Sequence, residues 1–229
     1  MKNIIIILAG ILLFFGCSED YLDRAPLSNV SLDTYFKKVT DFELYVNQFY
    51  PSLTNIKNFG LNHYENDGGS DNMIGLQPFH HFNGETTIEA EDGGWNNRYG
   101  TIRSLNIMIK HGPENFEGEI EDINPYLGEA RFFRARVYFG LLRKYGGVPF
   151  LDEPLLPDDV MLYKEREKRD QLVIKIIEDL DFAIEHVPSF NGNGVRLSKE
   201  AIAAFKSRVC LYEKKKKKYH SLEGTPFQV

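Results

Sequence analysis

The chain has 229 residues, 42% hydrophobic and 13% aromatic, with a formal net charge of −6. That length supports one domain with a real core, and the composition is globular, excluding a disordered, fibrous or low-complexity chain. The acidic balance argues against a nucleic-acid surface, whose affinity would come from neutralising phosphates.

Met1-Lys2-Asn3 precedes an apolar run from Ile4 to Phe15, and Gly16 precedes Cys17. A charged start, an apolar stretch too short to span a bilayer as a mature helix, and a small residue before the cut make a secretory signal over residues 1–16. The cut falls in front of a cysteine, which resembles the lipobox of bacterial lipoproteins, although Phe14 stands where leucine is usual. Cys17 is therefore expected to be lipidated. Each buried acyl methylene contributes about 0.8 kcal/mol, so several chains on one cysteine hold a protein to a membrane durably. Residues 17–39 read as the lipidated cysteine and a polar tether.

A helical domain is expected over 40–220. Thr40 and Glu43 fit a capping box, Phe42, Tyr45, Val46, Phe49 and Tyr50 share one helical face, and Pro51 closes that helix. From Asn58 to Gly94 periodicity disappears into turn chemistry such as Asn66-Asp67-Gly68-Gly69 and Asp92-Gly93-Gly94, around an aromatic island, Gln77 to Phe82. Loops this long are usually functional. Trp95 to His111 then places Trp95, Tyr99, Ile102, Asn106 and Ile109 on one face, with Gly112-Pro113 as the stop. Asn124 and Pro125 signal the start of the next helix, which runs to Tyr145 and ends at Gly146-Gly147. After a connection punctuated by Pro149, Pro154 and Pro157, a helix is expected from about Lys168 to Val187, striped by Val173, Ile176, Ile177, Leu180, Ala183, Ile184 and Val187. Ser198 caps the last helix, whose expected face is Ala201, Ala204, Phe205, Arg208, Val209 and Tyr212. Cys210 lies within it and reads as a small buried apolar residue, leaving no disulfide. Residues 221–229 remain an unassigned tail. The fold expected is all-α: TPR-like stacked antiparallel helix pairs with a long irregular loop excursion.

Several of these segments share one resemblance. Gly128-Glu129-Ala130-Arg131-Phe132-Phe133-Arg134-Ala135, with Leu142 to Pro149 following, resembles the hallmark helix of the SusD/RagB family. Trp95, Tyr99, Ile102 and Asn106 resemble its W-x3-Y-x2-I-x3-N helix. Ile177-Glu178-Asp179-Leu180 with Ala183-Ile184, and Arg196-Leu197-Ser198-Lys199-Glu200-Ala201 with Val195 inserted after Gly194, resemble two further motifs in the family's order. A last helix running through Leu211-Tyr212-Glu213 to Tyr219-His220 completes the match, and Glu19-Asp20 resembles a signal for export to the cell exterior. Family members are much longer, so the chain resembles an N-terminal portion. The resemblance implies a surface lipoprotein of the outer membrane that binds oligo- or polysaccharide for import through a SusC-like TonB-dependent transporter, without enzymatic activity, cofactor or metal.

By that resemblance the ligand-facing surface includes Asn72, Phe79, His81 and Phe82, with Asp71 shaping the loop. Sugar C–H faces pack on aromatic planes and hydroxyls need paired polar groups. Phe79 and Phe82 fit equally well as anchors that pin the loop. Trp95 lies on a helical stripe, which favours a core role over a sugar platform. Arg131, Arg134, Arg136 and Arg143 read as ion pairs and caps between helices. The spacing of His63, His80 and His81 matches no metal template. Carboxylate pairs such as Glu65 with Asp67, or Glu89 with Glu91, do not fix the separation a glycoside hydrolase needs. The alternative to glycan capture is a helical-repeat adaptor that grips a protein partner.

Overall fold

The structure, a computed structural model, describes residues 35–53, 92–156, 158–192 and 196–220. The chain divides into Met1–Tyr35 and Phe36–Val229, and every element described here belongs to the second unit. These elements are α1 (Val39–Asn47), α2 (Gly93–Asn115), α3 (Ile120–Tyr145), α4 (Arg169–His186) and α5 (Lys199–His220). Short 3-10 turns at Tyr50–Ser52 and Val160–Tyr163 complete them. Among the described residues there is no strand, and no helix is long and apolar enough to cross a membrane.

Contacts between helices fix their directions. Phe42 of α1 lies against Gly112 of α2, while the Tyr45 hydroxyl donates to the Ser104 carbonyl at 2.9 Å. Asp92 at the start of α2 meets Lys144 at the end of α3. Gly128, Arg134 and the Leu142 carbonyl of α3 meet Ala183, Asp179 and Arg169 of α4, in reversed order. Asp181 and Arg169 of α4 likewise meet Lys206 and Glu213 of α5. Each neighbouring pair is therefore antiparallel, and the stack is all-α as the apolar stripes require.

Helix α3 is the centre. It packs against α1, α2 and α4, and Ala130, Ala135, Tyr138, Leu141 and Leu142 are fully buried. Three guanidinium groups clamp the stack. Arg134 spans both oxygens of Asp179 at 2.7 Å each and donates to Asn106 Oδ1 at 2.8 Å. Arg169 spans Glu213 at 3.0 and 2.5 Å and also reaches the Leu142 carbonyl. Arg196 spans Glu129 at 3.0 and 2.7 Å and extends to Glu43 and Asn47 of α1. The expected ion-pairing role thus holds for Arg134, and also for Arg131, whose guanidinium lies 3.9 Å from the same Asp179. Arg131 lies over the Phe182 ring at 4.0 Å, Arg136 reaches Ser52, and Arg143 sits over Phe139 and Tyr212.

Five details differ from expectation. The start of α1 is closed by Asp41, whose carboxylate accepts the amides of Lys37 and Lys38 at 3.0 and 2.8 Å, and not by a Thr40–Glu43 box, because Glu43 turns to Arg196. Helix α1 stops at Asn47, and Pro51 sits in the turn that follows. Helix α2 runs through Gly112-Pro113 to Asn115, although Pro113 removes one amide from its last turn. Gly112 is there for space: a Cβ would lie 2.6 Å from Phe42 Cε1. Helix α3 starts at Ile120, a turn before Pro125, with Glu121 and Asp122 at its positive end and Ile123 fully buried. On α5 the buried positions are Ile202, Val209 and Glu213, while Ala201, Ala204, Arg208 and Cys210 face outward. The Arg169–Glu213 clamp sets that rotation. Cys210 follows buried Val209 by one residue, about 100° round the helix, and so is exposed.

Two glycines on α2 should respond oppositely to alanine. Gly100 has open space around its missing Cβ, so Gly100→Ala should stabilise by about 0.5–1 kcal/mol through helix propensity. Gly112→Ala must push the Phe42 ring and should destabilise by about 1–3 kcal/mol. Urea unfolding followed by circular dichroism measures both, and equal signs would contradict the packing described.

Candidate functional site

The connection from α3 to α4 is laid along α2 by side chains that bond its backbone. Tyr99 donates to the Pro149 carbonyl at 2.8 Å, and Arg103 Nε to the Leu155 carbonyl at 3.0 Å. Between them Asn106 Nδ2 donates to the carbonyls of Leu151 and Glu153, while the Tyr138 hydroxyl accepts from the Leu151 amide. A chain without regular structure must satisfy its backbone somewhere, and here α2 supplies the partners. Burial raises the Tyr99 phenol well above its ordinary pKa, so it stays a neutral donor.

Above this seam lies a groove of about 350 Å³, floored by Ile102, Pro149 and Leu151 and walled by Trp95 and Tyr99, with Leu162 at its far end. The Trp95 and Tyr99 rings stand 4.9 Å apart at 39°, and Tyr145 meets Trp95 edge-on at 5.1 Å. Asp92 holds this end in place. Its carboxylate accepts the amides of Gly94 and Trp95 at 2.8 and 3.3 Å, the Lys144 ammonium at 2.9 Å and the Tyr145 hydroxyl. The Tyr145 bond first, and the Lys144 bond next, hold the Asp92 carboxyl far below the usual carboxylate range. Asn96, Arg103 and Glu153 edge the groove with polar groups.

Cys17, Asp71, Asn72, Phe79, His81 and Phe82 lie outside the described residues, as do His63, His80 and the carboxylates of residues 65–91. Trp95 differs from its expected core role: it is half-buried and walls the groove. Sequence reasoning missed Asp92 as a helix cap, although an Asp two residues before Gly94-Trp95 carries that signal. It had no signal for Tyr145 or Arg166, which reach Trp95 across long sequence separations. A second hollow of about 420 Å³ is lined by Tyr126, Pro188 and Phe190, but its guanidinium, Arg196, already gives four hydrogen bonds to Glu129, Glu43 and Asn47.

A family model for SusD-like proteins, described as starch-binding and associating with the outer membrane, matches residues 20–211. The chain belongs to the SusD-like family. SusD-like protein P25 of Formosa agariphila is 23% identical to it, across 93% of this chain and 43% of that protein. A SusD-like protein of Bacteroides ovatus is 25% identical, across 84% of this chain and 36% of that one. The crystal structure of a SusD-like protein from Bacteroides fragilis NCTC 9343 superposes with a TM-score of 0.67 at 27% identity, covering 84% of this chain and 38% of that one. The chain thus spans well under half the length of these SusD-like relatives.

The residues of the SusD-like motifs are the ones that bond the stack together. Asn106, Glu129, Arg134, Asp179, Arg196 and Glu213 all join separate elements, and Tyr99 fixes the groove wall.

Because Asp92 ionises more readily in the folded protein, its stabilising contribution is complete above the ordinary carboxylate pKa and is lost as pH falls through the folded value. Asp92→Asn should therefore lower Tm most at neutral pH, and its gap to the native protein should narrow below about pH 4. Thermal unfolding across that range measures this, and a gap independent of pH would contradict the assignment.

Proposed function

We propose that the chain is the glycan-gathering helical portion of an outer-membrane lipoprotein that passes saccharide to a SusC-like TonB-dependent transporter. The observation that carries this reading is the groove beside Trp95. An apolar floor, two aromatic walls and a few polar groups at the edge are what a sugar needs, since its C–H faces pack on rings and its hydroxyls take hydrogen bonds. The family description names starch binding and outer-membrane association, and a SusD-like structure from Bacteroides fragilis with this fold is described as a carbohydrate-binding protein. In this reading Cys17 carries the acyl anchor and residues 1–16 are removed. Asn72, Phe79, His81 and Phe82, with Asp71 shaping their loop, extend the ligand surface beyond the groove. The role is binding without cleavage.

A protein-facing role beside glycan capture is favoured by Val160, Met161 and Tyr163, which stand exposed on the connection next to the groove. Such a run of apolar side chains on a loop is typical of contact surfaces.

Affinity electrophoresis against a glycan panel, paired with reducing-end analysis, tests the binding. At least one glycan should retard the protein without release of reducing ends, and Trp95→Ala should weaken that retardation about tenfold or more while circular dichroism stays unchanged. No retardation by any glycan, or release of new ends, would contradict the reading. For the anchor, labelled palmitate should enter the native protein in a bacterial host and not the Cys17→Ser variant. Equal labelling of both would refute acylation at that residue.

A further inference from the structure

Two sets of arginines in this fold contrast. Arg134, Arg169 and Arg196 each span a carboxylate on another element. Arg103 and Arg166, beside the Trp95 groove, pair with no carboxylate among the described residues. Arg103 spends its Nε on the Leu155 carbonyl, and Arg166 makes a 3.4 Å contact to the Tyr145 carbonyl while its guanidinium lies 5.5 Å from the Trp95 ring. The Arg166 charge also reaches the Tyr99 phenol and partly opposes the effect of burial there. Both side chains are exposed; Arg103 lines the groove, and Arg166 stands beside it at the Trp95 ring.

Three of the acids around them already hold a lysine. Glu153 pairs with Lys110 at 3.3 Å, Asp92 with Lys144 at 2.9 Å, and Glu167 with Lys164 at 2.8 Å. At the Leu162 end Asp159 caps the Met161 amide, and Asp158 stands exposed beside it. Exposed Glu165 directly precedes Arg166. The groove is thus flanked by two arginines that pair with no carboxylate among the described residues, on a chain whose overall charge of −6 would repel an anion elsewhere. A guanidinium over an aromatic face is the arrangement that holds a carboxylate or sulfate edge-on while a ring packs beneath.

The geometry points to an anionic saccharide as the ligand of this groove, with its carboxylate or sulfate bound by Arg166 and Arg103 and its ring on Trp95. This rests on the glycan-binding reading above. Arg166 orients the charged group against the platform, and Arg103 takes the next residue along. Discrimination comes from charge-assisted hydrogen bonds that a neutral sugar cannot return, while the aromatic contact is common to both.

The test is titration calorimetry of the whole chain with three probes of equal length: a neutral glucan hexasaccharide, a hexauronate, and a sulfated form of the neutral hexasaccharide. At least one anionic probe should bind tenfold or more tightly than the neutral one, and that preference should shrink between low and high salt. Arg166→Gln should reduce the anionic affinity several-fold and leave the neutral affinity unchanged, while Arg103→Gln should reduce the anionic affinity by more than the neutral one, with circular dichroism confirming the fold. Should either variant unfold, the salt dependence of the native protein decides alone. Neutral binding equal to or tighter than both anionic probes overturns this assignment and leaves glycan binding standing. Binding of no probe overturns both.

Discussion

A guanidinium taken out of water must meet a carboxylate with its hydrogen bonds complete, or the folded state loses several kcal/mol. This stack places that demand on it at Arg134 and Arg169, each time with the carboxylate on a different helix, and partly exposed Arg196 adds a third bidentate pair from the turn before α5. Apolar stripes alone allow antiparallel helices to slide and rotate with small changes in buried area. A bidentate pair does not, because both nitrogens and both oxygens must align. Fixing α3 against α4 through Asp179 and α4 against α5 through Glu213 therefore settles register as well as stability. The rotation of α5, with Glu213 inward and Arg208 outward, is one visible result.

The groove inherits this rigidity. Asn106 is fully buried and joins both systems: its oxygen accepts from Arg134 in the clamp, and its nitrogen donates to the carbonyls beneath the groove floor. Tyr99 and Tyr138 add further bonds to the same connection, so its backbone follows α2 and α3 over most of its first turns. The Trp95 end is set separately, by Asp92 drawing together a helix start, an ammonium and a phenol. A binding surface held by buried side chains loses little entropy when a ligand arrives. The motif residues Asn106 and Tyr99 thus belong to the scaffold and to the groove at once.

Much of the fold was legible because 3.6-residue periodicity is a local property. All five helices were anticipated, and Arg134 was read as a bridge between them. Two of the misreadings share a cause, a neighbour distant in sequence. Gly112 looks like a stop until the Phe42 ring is placed against it, and Cys210 looks buried until Glu213 is turned toward Arg169. The same limit applied to the site. Trp95 and Tyr99 were seen together on one stripe, but nothing near them in sequence announces Tyr145 or Arg166. The loop residues Asn72, Phe79, His81 and Phe82 lie outside the described residues and stand as proposals.

The central claim is that the Arg134–Asp179 pair is a strong buried coupling that sets the stack. A double-mutant cycle with Arg134→Met, Asp179→Leu and the double variant, followed by urea unfolding, measures it directly. The account predicts that each single change costs about 3–5 kcal/mol and that the double variant recovers much of that loss, giving a coupling above roughly 2 kcal/mol. A coupling below about 0.5 kcal/mol, as for an exposed surface pair, would contradict it.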